Sequence, residues 1–361
     1  MAETLLYRHI VITDARISHH LLLQRSLLAT RRPDGAPVGT WTKKITVTAL
    51  PPRESDREAA YHGALRDVIR LCPNLESFCM HGRPQDQYGS PETTGDIFKA
   101  LPDCLRMCAW ADLGETVKLG RFRDSCSFFS ALEHLRLRSL WGYINEDVTL
   151  TLPKLRSLSF ASWITNYPIA RWDLPSLVWL EISVESAVWL EVLDPFFLEH
   201  GKKLEFLQLV PGDLPHGDPT RRPNQEGVHR LYSIEIYLNF FRYFPLLSCF
   251  SIDPSWMRLG IIEESDNIPA HRHENLTTVH MLRPDPRHGP HYTRGEFIRS
   301  FFLAHQNLFP RLKDVSFPLK ERYMVVPMSH HWFWSGIEPT MEELDNLGDE
   351  FSLDFLGHTN S

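Results

Sequence analysis

The stretch L-P-K-L-R-S-L-S-F, residues 152–160, returns 22 residues later as L-P-S-L-V-W-L-E-I, residues 174–182, on one Leu-Pro-x-Leu-x-x-Leu-x-apolar skeleton. Reduced to apolar-x-x-apolar-x-apolar, the unit recurs along most of the chain. A proline leads it at Leu75/Phe78/Met80, Leu155/Leu158/Phe160, Leu177/Leu180/Ile182, Leu247/Phe250/Ile252 and Leu312/Val315/Phe317. Proline is absent at Leu105/Cys108/Trp110, Leu132/Leu135/Leu137, Leu204/Leu207/Leu209, Leu231/Ile234/Ile236 and Leu276/Val279/Met281. Two weaker copies stand at Tyr7/Ile10/Ile12 and Thr42/Ile45/Val47. From Leu75 to Leu312 the first positions step by 22 to 36 residues, except for a step of 16 between Leu231 and Leu247. Recurrence at this spacing marks an architecture of stacked units.

Alternate residues of a strand point to one side, so the last two apolar positions of each unit face inward together. One such strand cannot bury its face alone; stacked units can, with a parallel sheet on one side and return segments on the other. The proline fixes φ and lacks an N–H, so it ends what precedes it and feeds extended chain into the strand. Three returns are long enough for helices. S-D-R-E-A-A-Y-H-G-A-L-R-D-V-I-R-L opens with Ser55 and Glu58 at capping-box spacing, and T-R-G-E-F-I-R-S-F-F-L-A-H-Q repeats that spacing with Thr293 and Glu296. In S-A-V-W-L-E-V-L-D-P-F-F-L-E-H-G, Leu190, Leu193 and Phe197 share a face, Pro195 is expected to kink or interrupt the helix, and Gly201 suits its end.

With the opening L-L-Y-R-H-I-V-I-T and the unit L-C-P-N-L-E-S-F-C-M, residues 5–320 resemble leucine-rich-repeat proteins of the irregular kind found behind F-box motifs in fungal proteins. The fold expected is an α/β, irregular leucine-rich-repeat solenoid with a curved parallel sheet on the concave side and helices and loops on the convex side. It would span residues 1–320, with weak N-terminal units over 1–50, followed by a C-terminal cap or acidic tail over 321–361. The Asn that usually follows the strand in regular repeats is missing. The resemblance implies a protein-recognition module, and specifically substrate recognition for an F-box-type ubiquitin ligase. An F-box would precede L-L-Y-R-H-I-V, where four residues stand, so docking to the adaptor of a cullin ubiquitin ligase is expected only if an F-box is supplied upstream.

Composition narrows the partners. With 43% hydrophobic and 11% aromatic residues the chain can bury a large core. A formal net charge of −7 argues against a broad phosphate-binding surface, so nucleic acid is not expected. No run approaches a membrane span and the amino terminus lacks a signal-peptide apolar region, so no membrane partner is expected and the cytoplasm or nucleus is. The six cysteines are too sparse for a disulfide scaffold. No phosphate loop, H-E-x-x-H or G-x-S-x-G occurs. Of the 18 histidines, His271/His273, His288/His291 and His330/His331 are expected in loops without a cysteine pair nearby, solvated or partly packed, so no metal or other cofactor is expected. The chain is therefore read as a non-enzyme. The competing readings are a hydrolase-type enzyme with a histidine/carboxylate site assembled by the fold, and a degenerate structural copy.

On a solenoid, recognition sits on the outward strand positions. Trp179, Phe206 and Tyr237, taken as equivalent positions of consecutive units, are flanked by Glu181, Gln208 and Glu235, while His134, Arg136 and Arg138 add positive charge nearby. Exposed aromatics ringed by charge have the composition of a protein-binding hot spot. A long loop such as 211–227 could instead cover them. The acidic-apolar stretch 338–355 is read as a cap over the last repeat or a partner-binding tail.

Overall fold

A computed structural model of the chain describes residues 7–13, 16–29, 35–48, 55–80, 97–110, 130–137, 150–161, 171–184, 193–211, 234–252, 257–260, 272–281 and 292–316. The thirteen strands among them are β1 (His9–Ile12), β2 (Lys44–Val47), β3 (Ser77–Met80), β4 (Met107–Trp110), β5 (His134–Leu137), β6 (Ser157–Ala161), β7 (Trp179–Val184), β8 (Phe206–Pro211), β9 (Ile234–Tyr237), β10 (Cys249–Ile252), β11 (Met257–Gly260), β12 (Thr278–Met281) and β13 (Asp314–Ser316). Eleven form one all-parallel sheet in the order β1-β2-β3-β4-β5-β6-β7-β8-β10-β12-β13. The remaining two, β9 and β11, pair in parallel with each other.

The five proline-led units enter their strands in the same way. In L-P-x-L the N–H of the second leucine donates to the carbonyl of the residue before proline, as in Leu155 N to Leu152 O (3.2 Å) and Leu177 N to Leu174 O (3.3 Å). Proline therefore occupies the second position of a four-residue turn, where its fixed φ is already suited. It shapes a turn, where extended chain was expected. The third turn residue often ties one unit to the last: Asn74 Nδ2 donates to Thr40 O, Cys104 Sγ to Pro73 O, Ser176 Oγ to Pro153 O and Asn275 Nδ2 to Pro245 O. One residue past the second leucine, a carbonyl accepts two successive amides of the next unit. Glu76 O takes Arg106 N and Met107 N, Arg106 O takes Glu133 N and His134 N, and Val178 O takes Glu205 N and Phe206 N.

The inward positions behave as the skeleton requires. Leu155, Leu158, Phe160, Leu177, Leu180 and Ile182 are buried in one continuous apolar cluster with their counterparts from Ile10 to Phe309. The two weak amino-terminal copies are full members of the sheet, as β1 and β2. The Leu231/Ile234/Ile236 copy is not: β9 lies outside the large sheet, and β8 pairs directly with β10.

Among the described residues four α-helices occupy returns: α1 (Ile17–Ala29), α2 (Ser55–Arg70), α3 (Asp194–His200) and α4 (Tyr292–Ala304). The pattern search anticipates α2 and α4 but not α1. Pro195 lies in the first turn of α3, where its missing N–H costs nothing, and residues 185–192, the earlier part of the expected helix, lie outside the described residues. The 3₁₀ segment Leu238–Tyr243 brings Phe240 and Phe241 into an aromatic cluster with Phe197, Phe244, Phe250, Phe302 and Phe309, mostly in edge-to-face contacts. Residues 321–361, and all but Pro211 of the loop 211–227, lie outside the described residues.

Candidate recognition surface

The face of the sheet opposite the core carries two rows of side chains in register. Arg136 pairs with Ser159, Ser159 with Glu181, Glu181 with Gln208 and Gln208 with Ser251 along one row; His134, Ser157, Trp179, Phe206 and Cys249 follow each other along the second.

In the second row the Trp179 and Phe206 rings stack, centroids 5.4 Å apart and planes 14° apart, and both are half-buried. Tyr237 does not extend the stack, because β9 is not the neighbour of β8. The rung after Phe206 is Cys249, and Glu235 with Tyr237 belongs to the β9–β11 pair. Arg138 lies outside the described residues. Of the nine residues proposed from sequence, the sheet thus gathers His134, Arg136, Trp179, Glu181, Phe206 and Gln208.

The first row is a network. Glu181 is 3% exposed, and its carboxylate accepts from Ser159 Oγ (2.7 Å) and Arg136 Nη2 (3.3 Å) on one oxygen and from Gln208 Nε2 (2.9 Å) on the other. A buried carboxylate with three donors from three strands ties those strands together, and its burial withholds it from a partner. Glu181 is a structural hub and not the exposed flank expected. Ser157 and Ser159 are also buried. Neither position is the tolerant outward site that alternation alone suggests.

Accessible charge sits one step earlier, on the residues that precede each strand. Lys43 pairs with Glu76 (2.6 Å), and Arg106 holds Glu133 through two bonds, 2.9 and 2.7 Å. The Arg106 hydrogen bond keeps the Glu133 carboxyl below its ordinary value, with Arg156 adding a smaller attraction. His134 is held below the usual imidazole value by burial, opposed in part by Glu133. Sequence reasoning passed over this row because it looked only at residues within strands.

Cys79 and Cys249, on the face opposite the core, show no sign of nucleophilic activation. Burial pushes the Cys79 thiol up to about 11, and burial plus Asp314 pushes Cys249 up to about 12, so both are thiols at neutral pH. Cys108 is buried in the core, as its inward position requires. His273 is fully buried, unlike the solvated or partly packed histidine expected: Nε2 donates to Phe244 O (2.7 Å) and Nδ1 accepts the Leu276 N–H (3.1 Å).

No protein-family model and no curated protein matches the chain. Among solved structures, a chain of "Crystal structure of Rad7 and Elc1 complex in yeast" is similar over 70% of this chain and 73% of its own, at 13% identity and a TM-score of 0.29. That likeness is too slight to carry any part of the reading below.

Proposed function

We propose that the chain is a non-catalytic protein-recognition module: an irregular leucine-rich-repeat solenoid that grips a protein partner by the side-chain rows opposite its core. The observation that carries this reading is the half-buried Trp179–Phe206 stack, fixed in register on β7 and β8 beside the rigid Glu181 network. Preorganised aromatic rings supply large contact area with little ordering cost, which is the chemistry of interface anchors. The repeat periodicity and the parallel sheet support the solenoid. Substrate recognition for a ubiquitin ligase in the cytoplasm or nucleus follows from the sequence resemblance, with adaptor contact only if an F-box is supplied upstream.

The test is capture of partners from cells of the source organism by the wild type and by Trp179→Ala and Phe206→Ala, each first shown to be folded. Either truncation should weaken a true partner by about 2 kcal/mol, roughly 30-fold. Equal yields of the same partners would remove the ring pair from the interface.

A further inference from the structure

The residues immediately before the strands carry alternating charge: Lys43, Glu76, Arg106, Glu133 and Arg156, then Val178 and Glu205. The first four cancel in two ion pairs. Arg156 and Glu205 do not: both are exposed, and the side chain of neither makes a hydrogen bond or ion pair among the described residues, although Arg156 lies close enough to Glu133 and His134 to influence both. They stand one residue before the first rungs of β6 and β8, either side of half-buried Val178, which precedes β7, and the stacked Trp179 and Phe206 open the strands β7 and β8. Two strand spacings separate the cation from the anion by about 10 Å.

We propose that this edge receives an extended segment of a partner protein that crosses the strand starts. It would place a carboxylate at Arg156, an apolar side chain against Val178 and the ring pair, and a cation at Glu205. This rests on the recognition reading above and adds to it the chemistry and polarity of the ligand. In an extended chain every second side chain faces the same way, about 7 Å apart, so acid, apolar and basic residues on alternate positions of one side frame the span, with the long arginine and glutamate side chains making up the difference from about 10 Å. Charge complementarity fixes the direction, because a segment laid the other way puts like charges together at both ends. Neither residue is needed for folding through its side chain, since the sheet holds them by their backbone: Arg156 N donates to Glu133 O, and Glu205 O accepts Ser248 N and Cys249 N.

The experiment selects a random displayed-peptide library on the immobilised full chain at low salt, using wild type, R156E/E205R, R156Q/E205Q and W179A, with melting temperatures confirming the fold of each. Wild type should enrich peptides with acid, apolar and base in that order. R156E/E205R should enrich the opposite charge order and bind the wild-type peptides about tenfold more weakly, R156Q/E205Q should show no charge order, and W179A should lose the enriched peptides. No enrichment, or the same sequences from wild type and R156E/E205R, would overturn the inference. If W179A loses the peptides while R156E/E205R keeps them unchanged, the ring-pair reading stands and only the charged frame falls. If W179A keeps them, both fall.

Discussion

Glu181 shows how one residue's role is set by strands far from it in sequence. Its donors lie 22, 27 and 45 residues away, yet one rung brings them together. Glu181→Lys places an ammonium in a 3%-exposed site beside the Arg136 guanidinium, and should destabilise the fold by about 3–5 kcal/mol, read as a fall in urea midpoint. A second residue-scale prediction concerns His62, which α2 holds 5% exposed, with burial lowering its pKa to about 4. The folded chain keeps this ring neutral while the unfolded chain protonates it near pH 6.5. Stability is therefore complete above that pH and falls as pH drops from 6.5 towards 4, by up to about 3 kcal/mol from this group. His62→Phe should flatten that part of the stability–pH curve; an unchanged slope would show that the ring does not titrate as described. Which glutamates were exposed was not legible in the sequence, because alternation gives a side chain's direction and not its company.

At the scale of the element, the turn that opens each strand makes a contrast among glycines. Gly39 and Gly201 are the first residues of the turns closed by Thr42 and Leu204, and a Cβ there would lie 2.2 Å from Leu71 O and 2.5 Å from Tyr243 O, backbone of the next unit in each case. Gly63, inside α2, meets nothing within 4 Å. Gly39→Ala and Gly201→Ala should each destabilise by about 1–3 kcal/mol, whereas Gly63→Ala should stabilise by about 0.5–1 kcal/mol. Melting temperatures moving together in all three would contradict the close approach. Strands were legible because the short skeleton encodes them; the turn was not, because proline's fixed φ suits both extended chain and the second position of a turn. The Leu231 copy misled because it satisfies the local pattern, and pairing is decided by what the return allows. Its 16-residue step to Leu247 is shorter than the 22 residues that separate Leu155 from Leu177, the tightest neighbours in the sheet. Helix α1 carries no capping signal that the pattern search used, and its sequence I-S-H-H-L-L-L-Q-R-S-L-L-A leaves Leu21, Leu22 and Leu28 exposed, which blurs its period.

Across the whole molecule, each strand of the large sheet meets only the one before and the one after it in the sheet order, so stability is close to a sum of neighbour terms. Strands β6 to β8 have partners on both sides, while β1 and β13 have one each among the described residues. Amide exchange should therefore be slowest at Leu158, Leu180 and Leu207 and fastest among strand residues at Ile10 and Val315. Uniform protection from end to end would mean that the sheet opens only as a unit. Leu180→Asp, which puts an unpaired carboxylate into a fully buried position between two neighbours, should unfold or aggregate the chain.

The twin-amide grip of one carbonyl at each junction between neighbouring strands of the large sheet separates the alignment of strands from the length of chain between them. The grip joins Glu133 to Arg156 and Ser157 across a short separation, and Glu205 to Ser248 across a sequence separation of 43 residues, with the same pairing of backbone atoms. Insertions and deletions can therefore accumulate in the returns of a lineage, or be introduced by an engineer, without moving a single rung. Such a scaffold can acquire new loops around an old face, and the face keeps its spacing while its surroundings change.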